Sequence, residues 1–259
     1  MPKLSIITIN YNNLSGLKQT LESVVNQTFQ DFEYVVIDGG STDGSCAYLE
    51  AHTEALSYWV SEPDTGVYQA MNKGLQQAHG DYVLFLNSGD HFLAPDGLET
   101  AQTYLTDFDL VYFNLKVIEA SKIYIKTYPS VLSFAYFVKD TLPHPATFIK
   151  KSLFDCVGLY REDFKIVSDW AFFLDAVCAK QASYKHVDRT LAVFYRDGMS
   201  SQTTNASVIF NEKQAVLKTR YAAYLQDLDE VLYYRDLVAT LRSSRIISWL
   251  VKWGFLNKF

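Results

Sequence analysis

The sequence predicts an α/β fold around a mostly parallel sheet flanked by helices, and three observations lead there. Short apolar runs rich in β-branched residues alternate with helix-spaced apolar stripes through the first third of the chain. Polar clusters stand where those runs end. The composition supports a sizeable core: of 259 residues 49% are hydrophobic and 20% charged, which excludes a disordered or purely coiled-coil chain. Strands that alternate with helices pair in parallel through right-handed crossovers.

Leu4–Ile9 reads as the first strand, and Asn10-Tyr11-Asn12-Asn13 as the loop after it. Leu14, Leu17, Leu21 and Val24/Val25 then recur at helical spacing, with Asn13 or Ser15 as cap. Tyr34–Ile37 is a second strand ending at Asp38-Gly39-Gly40, and Ser41 or Thr42 is placed to open the next helix. Tyr58–Val60 and Tyr82–Leu86 give the third and fourth strands, with a helix carrying Val67, Ala70/Met71, Leu75 and Ala78 between them. Leu110–Leu115 and Lys122–Tyr128 read as an antiparallel pair, Ser168–Ala179 as a helix and Leu191–Tyr195 as a further strand. From about Ser207 the pattern is helical: Leu217, Tyr221, Tyr224, Leu228 and Val231 form one apolar seam, and Arg242–Phe259 is amphipathic.

The formal net charge of −6 divides unevenly, −10 over residues 1–236 and +4 beyond. An acidic body argues against a nucleic acid target. Cys46, Cys156 and Cys178 lie far apart, so neither a disulfide framework nor a zinc site is expected, and a reducing cytoplasm is the natural compartment. The first ten residues lack the pattern of a secretory leader, and no apolar run approaches the roughly 20 residues of a membrane span.

In an open α/β sheet, ligands lie beyond the carboxyl ends of the strands. Four polar clusters fall there: Asn10–Asn13, Asp38–Asp43, Ser61–Asp64 and Asn87–Asp90. Neither G-x-x-x-x-G-K-[ST] nor G-x-G-x-x-G follows the first strand, so a phosphate loop and a dinucleotide site are disfavoured.

Four stretches in order narrow the reading: Ser5-Ile6-Ile7-Thr8-Ile9-Asn10-Tyr11-Asn12, Asp38-Gly39-Gly40-Ser41-Thr42-Asp43-Gly44, the run Ser61–Gly74 and Phe85-Leu86-Asn87-Ser88-Gly89-Asp90. Together they resemble the family 2 glycosyltransferases of the GT-A fold, in a bacterial polysaccharide-assembly branch. The resemblance covers roughly two hundred residues. It implies a catalytic domain over residues 1–206, in which residues 1–90 bind the nucleotide and residues 91–206 the acceptor, before a helical extension over 207–259.

Carried over residue by residue, the resemblance implies that Thr8, Tyr11 and Asp38 surround the nucleotide base, with Asn87 at the ribose. A carboxylate accepts strongly from a base N–H, and an aromatic face suits a planar base. Asp64, Asn72 and Lys73 would lie along the nucleotide and donor sugar. Asp90 would hold Mg²⁺ or Mn²⁺ with diphosphate oxygens, in a motif thinned by Asn87 and Gly89 where acids are usual. Asp169 matches the family's base at a helix start, with Ser168 in place of a second acid; Asp163 and Glu162 are the runner-up bases. Taken singly, Asp38 also reads as a turn or capping acid, and Asp169 as a helix-start acid favoured by the macrodipole. His144, between two prolines, resembles an acceptor-side histidine. Arg196 with Asp197–Ser201 resembles a loop that closes over the diphosphate; a surface turn is the rival reading.

The expected activity is transfer of a hexosyl or hexosaminyl group from a nucleoside-diphosphate sugar, with UDP first among the bases, to a saccharide or lipid-linked glycan. Inversion and a setting in surface polysaccharide synthesis come from the resemblance. A sugar nucleotidyltransferase and a binding protein without turnover are the alternatives. The tail over 242–259, with Arg242, Arg245, Lys252, Lys258 and two Trp, suits an anionic membrane surface at the inner face of the plasma membrane. Docking on the protein's own core, or a homodimer through the C-terminal helices, is the competing use of that face.

Overall fold

The computed structural model describes residues 3–119, 122–196 and 203–256. They divide into two compact units, Met1–Glu212 and Lys213–Phe259. In the first unit a nine-stranded sheet is built from β1 (Leu4–Asn10), β2 (Phe32–Asp38), β3 (Tyr58–Ser61), β4 (Tyr82–Phe85), β5 (His91–Phe92), β6 (Leu110–Glu119), β7 (Lys122–Lys126), β8 (Thr147–Lys150) and β9 (Tyr184–Tyr195). The order is β3-β2-β1-β4-β8-β6-β9-β5, with β7 paired to β6.

The expected parallel character belongs to β3-β2-β1-β4 and to the β6/β9 pair. The β4/β8, β6/β8, β5/β9 and β6/β7 pairs are antiparallel. Every residue of β1 is buried, as a strand covered on both faces requires. Register aligns Asn10 with Asp38 and Asp38 with Ser61, so three polar residues meet at one end of the parallel half.

Helix α1 (Leu14–Val25) buries Gly16, Leu17, Thr20, Leu21 and Val24, one stripe at helical spacing, and Asn13 caps it by accepting from Gly16 N at 3.1 Å. Helix α2 (Ser45–Ala51) starts later than expected. Ser41 and Thr42 are used in the loop, where they bond Asn12, and Asp43 accepts from Ser45 N at 3.1 Å. Helix α3 (Val67–Gln77) packs against β1 and β2 so closely that a Cβ at Gly74 would lie 2.5 Å from Ile7 Cγ2.

The second half of the unit adds the short helices α4 (Gly97–Gln102), α5 (Phe134–Lys139) and α6 (Leu153–Val157). Strands β5 and β8 and these helices have too few residues to show a period. The helix expected over 168–179 is α7 (Ser168–Leu174) followed by a turn of π-helix, Asp175–Ala179. Trp170 anchors α7, 2% exposed, with its indole N–H donating to Phe137 O at 2.7 Å.

The C-terminal seam is not one helix. Helix α8 (Ala206–Arg220) stops before Tyr221, α9 (Ala222–Leu225) is a single turn, and α10 (Leu228–Ser243) begins after Asp227. Tyr221 and Asp227 leave helical geometry, with φ −126° and −118°, and each break turns the apolar face. Leu217, Tyr221 and Leu228 are buried, but Tyr224 and Val231 are 63% and 55% exposed. Ser244 then caps α11 (Arg245–Lys252).

Candidate active site

The loops at the carboxyl ends of β1, β2 and β3 are tied together by short polar side chains. Asp38, fully buried, is the knot. Its Oδ1 accepts from Asn10 Nδ2 at 2.7 Å and Ser41 Oγ at 2.6 Å, and its Oδ2 from Ser41 N at 2.9 Å and Ser61 Oγ at 2.6 Å. Burial alone would raise the carboxyl's pKa, but these bonds from Ser41, Ser61 and Asn10 hold it below the ordinary value. A carboxylate offers about four lone-pair sites, and all are engaged. Asn10 Oδ1, by contrast, is buried with no protein partner.

Beside this knot Tyr11 is 67% exposed. A Cβ at Gly39 would lie 2.6 Å from Asp64 Oδ2 and 3.2 Å from Tyr11 Cδ2, so only glycine lets the Tyr11 ring and the Asp64 carboxylate flank the same stretch of backbone. Tyr11, Asp38 and Asp64, expected around the nucleotide, are therefore neighbours. Lys73 pairs with Glu62 at 2.7 Å.

Thr8 and Asn72 are placed differently from their expected contacts. Thr8 is fully buried; its hydroxyl donates to Leu86 O at 2.7 Å and lies 3.0 Å from Tyr34 Oη. Asn72, 4% exposed, donates to Tyr160 O and Glu162 Oε1, both at 2.9 Å, and accepts from Tyr160 N at 3.1 Å. Both spend their polar atoms on the protein.

The Asn87–Asp90 turn is stapled to α1. Asn13 Nδ2 donates to Ser88 O at 3.2 Å, Gly89 N to Thr20 Oγ1 at 3.0 Å and Thr20 Oγ1 to Asp90 O at 2.6 Å. Asn87 Oδ1 is buried without a partner. Among the described residues no three His, Cys, Asp or Glu side chains come together as a metal-ion site. The turn offers one carboxylate, Asp90, so these residues fit a hard cation held jointly with diphosphate oxygens and not one held by protein alone.

Asp169 stands in the first turn of α7, half-buried, and its Oδ1 lies 2.8 Å from Tyr68 Oη. Ser168, 2% exposed, accepts from Arg161 N at 2.5 Å, a small buried position unsuited to a second acid. Glu212 was not legible in the sequence. It accepts from the backbone N–H groups of Lys165, Ile166 and Val167 at 2.7, 3.1 and 3.2 Å and so fixes the approach to Asp169. Only its distance in sequence hid it, since nothing marks one acid within a polar helix.

The rival bases are otherwise occupied. Asp163 is held by Arg161 at 2.5 Å, which pulls its carboxyl below the usual range, and Glu162 receives Asn72. His144 is 9% exposed, bonds Tyr160 Oη through Nε2 at 2.9 Å and stacks on Phe85. Burial lowers its pKa against the opposing pull of Asp169. Arg196 Nη1 lies 3.1 Å from both carboxylate oxygens of Glu119, at the ends of β9 and β6. The loop Asp197–Ser201 lies outside the described residues. A cavity of about 580 Å³ lined by Lys3, Asp81, Lys150 and Asp155 lies at the amino ends of β1 and β4, apart from all these groups.

A parallel half-sheet with acids and asparagines at its carboxyl ends, extended by mixed strands that lead to an acid at a helix start, is the GT-A architecture of glycosyltransferases. Solved structures share it. S. aureus TarS 1–349 in complex with UDP-GlcNAc aligns with a TM-score of 0.64 at 22% identity, over 78% of this chain and 61% of that one. The mannosyltransferase PcManGT from Pyrobaculum calidifontis, in complex with GDP-Man and Mn²⁺, aligns with a TM-score of 0.58 at 16% identity, over 98% of this chain and 79% of that one.

Residues 5–156 match the family described as Glycosyl transferase family 2. An uncharacterised glycosyltransferase of Mycobacterium tuberculosis is 38% identical over 183 residues, 68% of this chain and 69% of that protein. A PGL/p-HBAD biosynthesis glycosyltransferase of Mycobacterium bovis is 32% identical over 177 residues, 66% of this chain and 68% of that protein. The chain belongs to the family 2 glycosyltransferases.

Proposed function

We propose that this enzyme moves a sugar from a nucleoside-diphosphate sugar, with UDP the expected base, to a hydroxyl of a saccharide or lipid-linked glycan in surface polysaccharide assembly. One observation carries the reading. The segment from Ser61 to Asn72 joins the two ends of the reaction: Asp64 sits beside Gly39 and Tyr11, and Tyr68, one turn along, bonds Asp169.

In this reading Tyr11 packs on the base. A base N–H reaches Asp38 when the Ser61 hydroxyl turns away, while Asn10 Oδ1 and Asn87 Oδ1 are acceptors waiting for base and ribose donors. Asp64 and Lys73 line the donor sugar, and Thr8 and Asn72 hold the surrounding strands and loops. Asp90 would hold Mg²⁺ or Mn²⁺ with the diphosphate, where the ion neutralises charge on the leaving group. Asp169 takes the acceptor proton as the acceptor oxygen attacks the anomeric carbon. The family resemblance implies single displacement with inversion, readable in the anomeric configuration of the first product. His144 shapes the acceptor side, and Arg196 begins the loop over the diphosphate. The catalytic domain is residues 1–206, and 207–259 is an extension that places the enzyme at an anionic cytoplasmic membrane surface.

The test is calorimetric binding of UDP-, GDP- and dTDP-sugars with and without Mn²⁺. We expect one base to bind at least tenfold tighter than the others, and Mn²⁺ to bind only when nucleotide is present. Asp90→Asn should remove the Mn²⁺ effect and leave metal-free nucleotide binding. Equal, metal-indifferent binding of all three donors would contradict the assignment.

A further inference from the structure

The signature run Ser61–Gly74 contains a side chain for which the transfer reaction has so far given no task. Tyr68, on the first turn of α3, is 4% exposed. Its phenol lies 2.8 Å from Asp169 Oδ1 and 2.5 Å from Ile166 O, so one proton is shared between two acceptors. These partners lie 101 and 98 residues away in sequence, which no local turn requires.

Among the described residues, the titratable groups that feel the Asp169 charge are Tyr68 from α3, His144 from the turn before β8, and Tyr160 from the loop between α6 and α7. Glu212 from α8 bonds the backbone at 165–167. Burial keeps His144 in the direction of its neutral form, and burial with the Asp169 charge drives the Tyr68 phenol far above its ordinary range. Tyr68 therefore faces Asp169 as a neutral donor.

We propose that Tyr68 is the positioning residue of the base: its hydroxyl aims the Asp169 carboxylate and leaves the other oxygen to take the acceptor proton. The proposal rests on Asp169 being the base. A neutral phenol suits the task because it orients the carboxylate without adding a charge. The shared bond to Ile166 O ties the hydroxyl to the loop that carries α7, so the aim is set by backbone as well as by side chain.

The experiment is the pH profile of kcat/KM for Tyr68→Phe in the full chain, beside Asp169→Asn, with donor affinity by calorimetry and thermal unfolding as a check of folding. Loss of a donor to the charged form should move the acid limb to higher pH by about one unit and cost about tenfold or more in kcat/KM, with donor Kd unchanged. If Tyr68→Phe does not fold, 3-fluorotyrosine at 68, a stronger donor of the same shape, should move the acid limb to lower pH. An acid limb that coincides with wild type in the folded variant overturns the positioning role. Transfer by Asp169→Asn at the wild-type rate overturns instead the base reading beneath it.

Discussion

Asp38 shows how single residues hold this site. A buried carboxylate that receives four donors from the ends of three strands is costly to lose, because each donor would be left unpaired. Asp38→Asn turns part of the acceptor into a donor facing Ser41 N or Asn10 Nδ2. Denaturant unfolding at pH 7 should show a loss of about 1–3 kcal/mol. The folded pKa is depressed, so this stabilisation is present above the unfolded carboxyl value of about 3.9 and fades as pH falls through the folded value. The gap between wild type and Asp38→Asn should therefore narrow on acidification below about pH 4; a gap constant with pH contradicts the account. The placement of Tyr11, Asp38 and Asp64 together at strand ends, and of Asp169 at a helix start, was legible from position within a motif. Thr8 and Asn72 carry equally polar side chains, but which side of the sheet or helix they would face depended on distant partners such as Tyr160.

Among the elements, those with a clear period were legible and the short ones were not. Helix α1 and strands β1 to β4 stand within a few residues of their expected bounds, because the apolar stripe and the turn residues agree. The breaks at Tyr221 and Asp227 were hidden, since a seam spaced four, three, four, three looks continuous whether or not the backbone is. Helix α11 and the residue after it present Ile246, Trp249 and Trp253 at 71%, 54% and 65% exposure, in a stretch that also carries Arg242, Arg245 and Lys252. No helix among the described residues is long and apolar enough to cross a membrane. Aromatic anchors with cationic flanks complement an anionic bilayer surface, each basic residue contributing about 1 kcal/mol. The full chain should sediment with vesicles containing phosphatidylserine and not with neutral ones, and Trp249→Glu/Trp253→Glu should abolish this while donor binding is kept. Sedimentation unchanged by the double substitution, or its replacement by concentration-dependent dimerisation, would contradict the membrane reading.

At the scale of the molecule, the sequence predicted that the polar ends of the parallel strands meet, a consequence of topology. It was less informative about the second half of the sheet, where β8, β6, β9 and β5 pair across long stretches of chain. That half nevertheless brings Asp169 to Tyr68, and so joins the start of α7 to the run whose Asp64 lies beside Gly39 and Tyr11. The central claim is that Asp169 deprotonates the acceptor. It is tested most directly by the transfer rate of Asp169→Asn, measured together with its calorimetric affinity for the donor sugar. A base of this kind contributes on the order of 10²–10⁴-fold, so the rate should fall by that factor with donor affinity changed less than about twofold. A rate within about threefold of wild type at unchanged donor affinity would contradict the account.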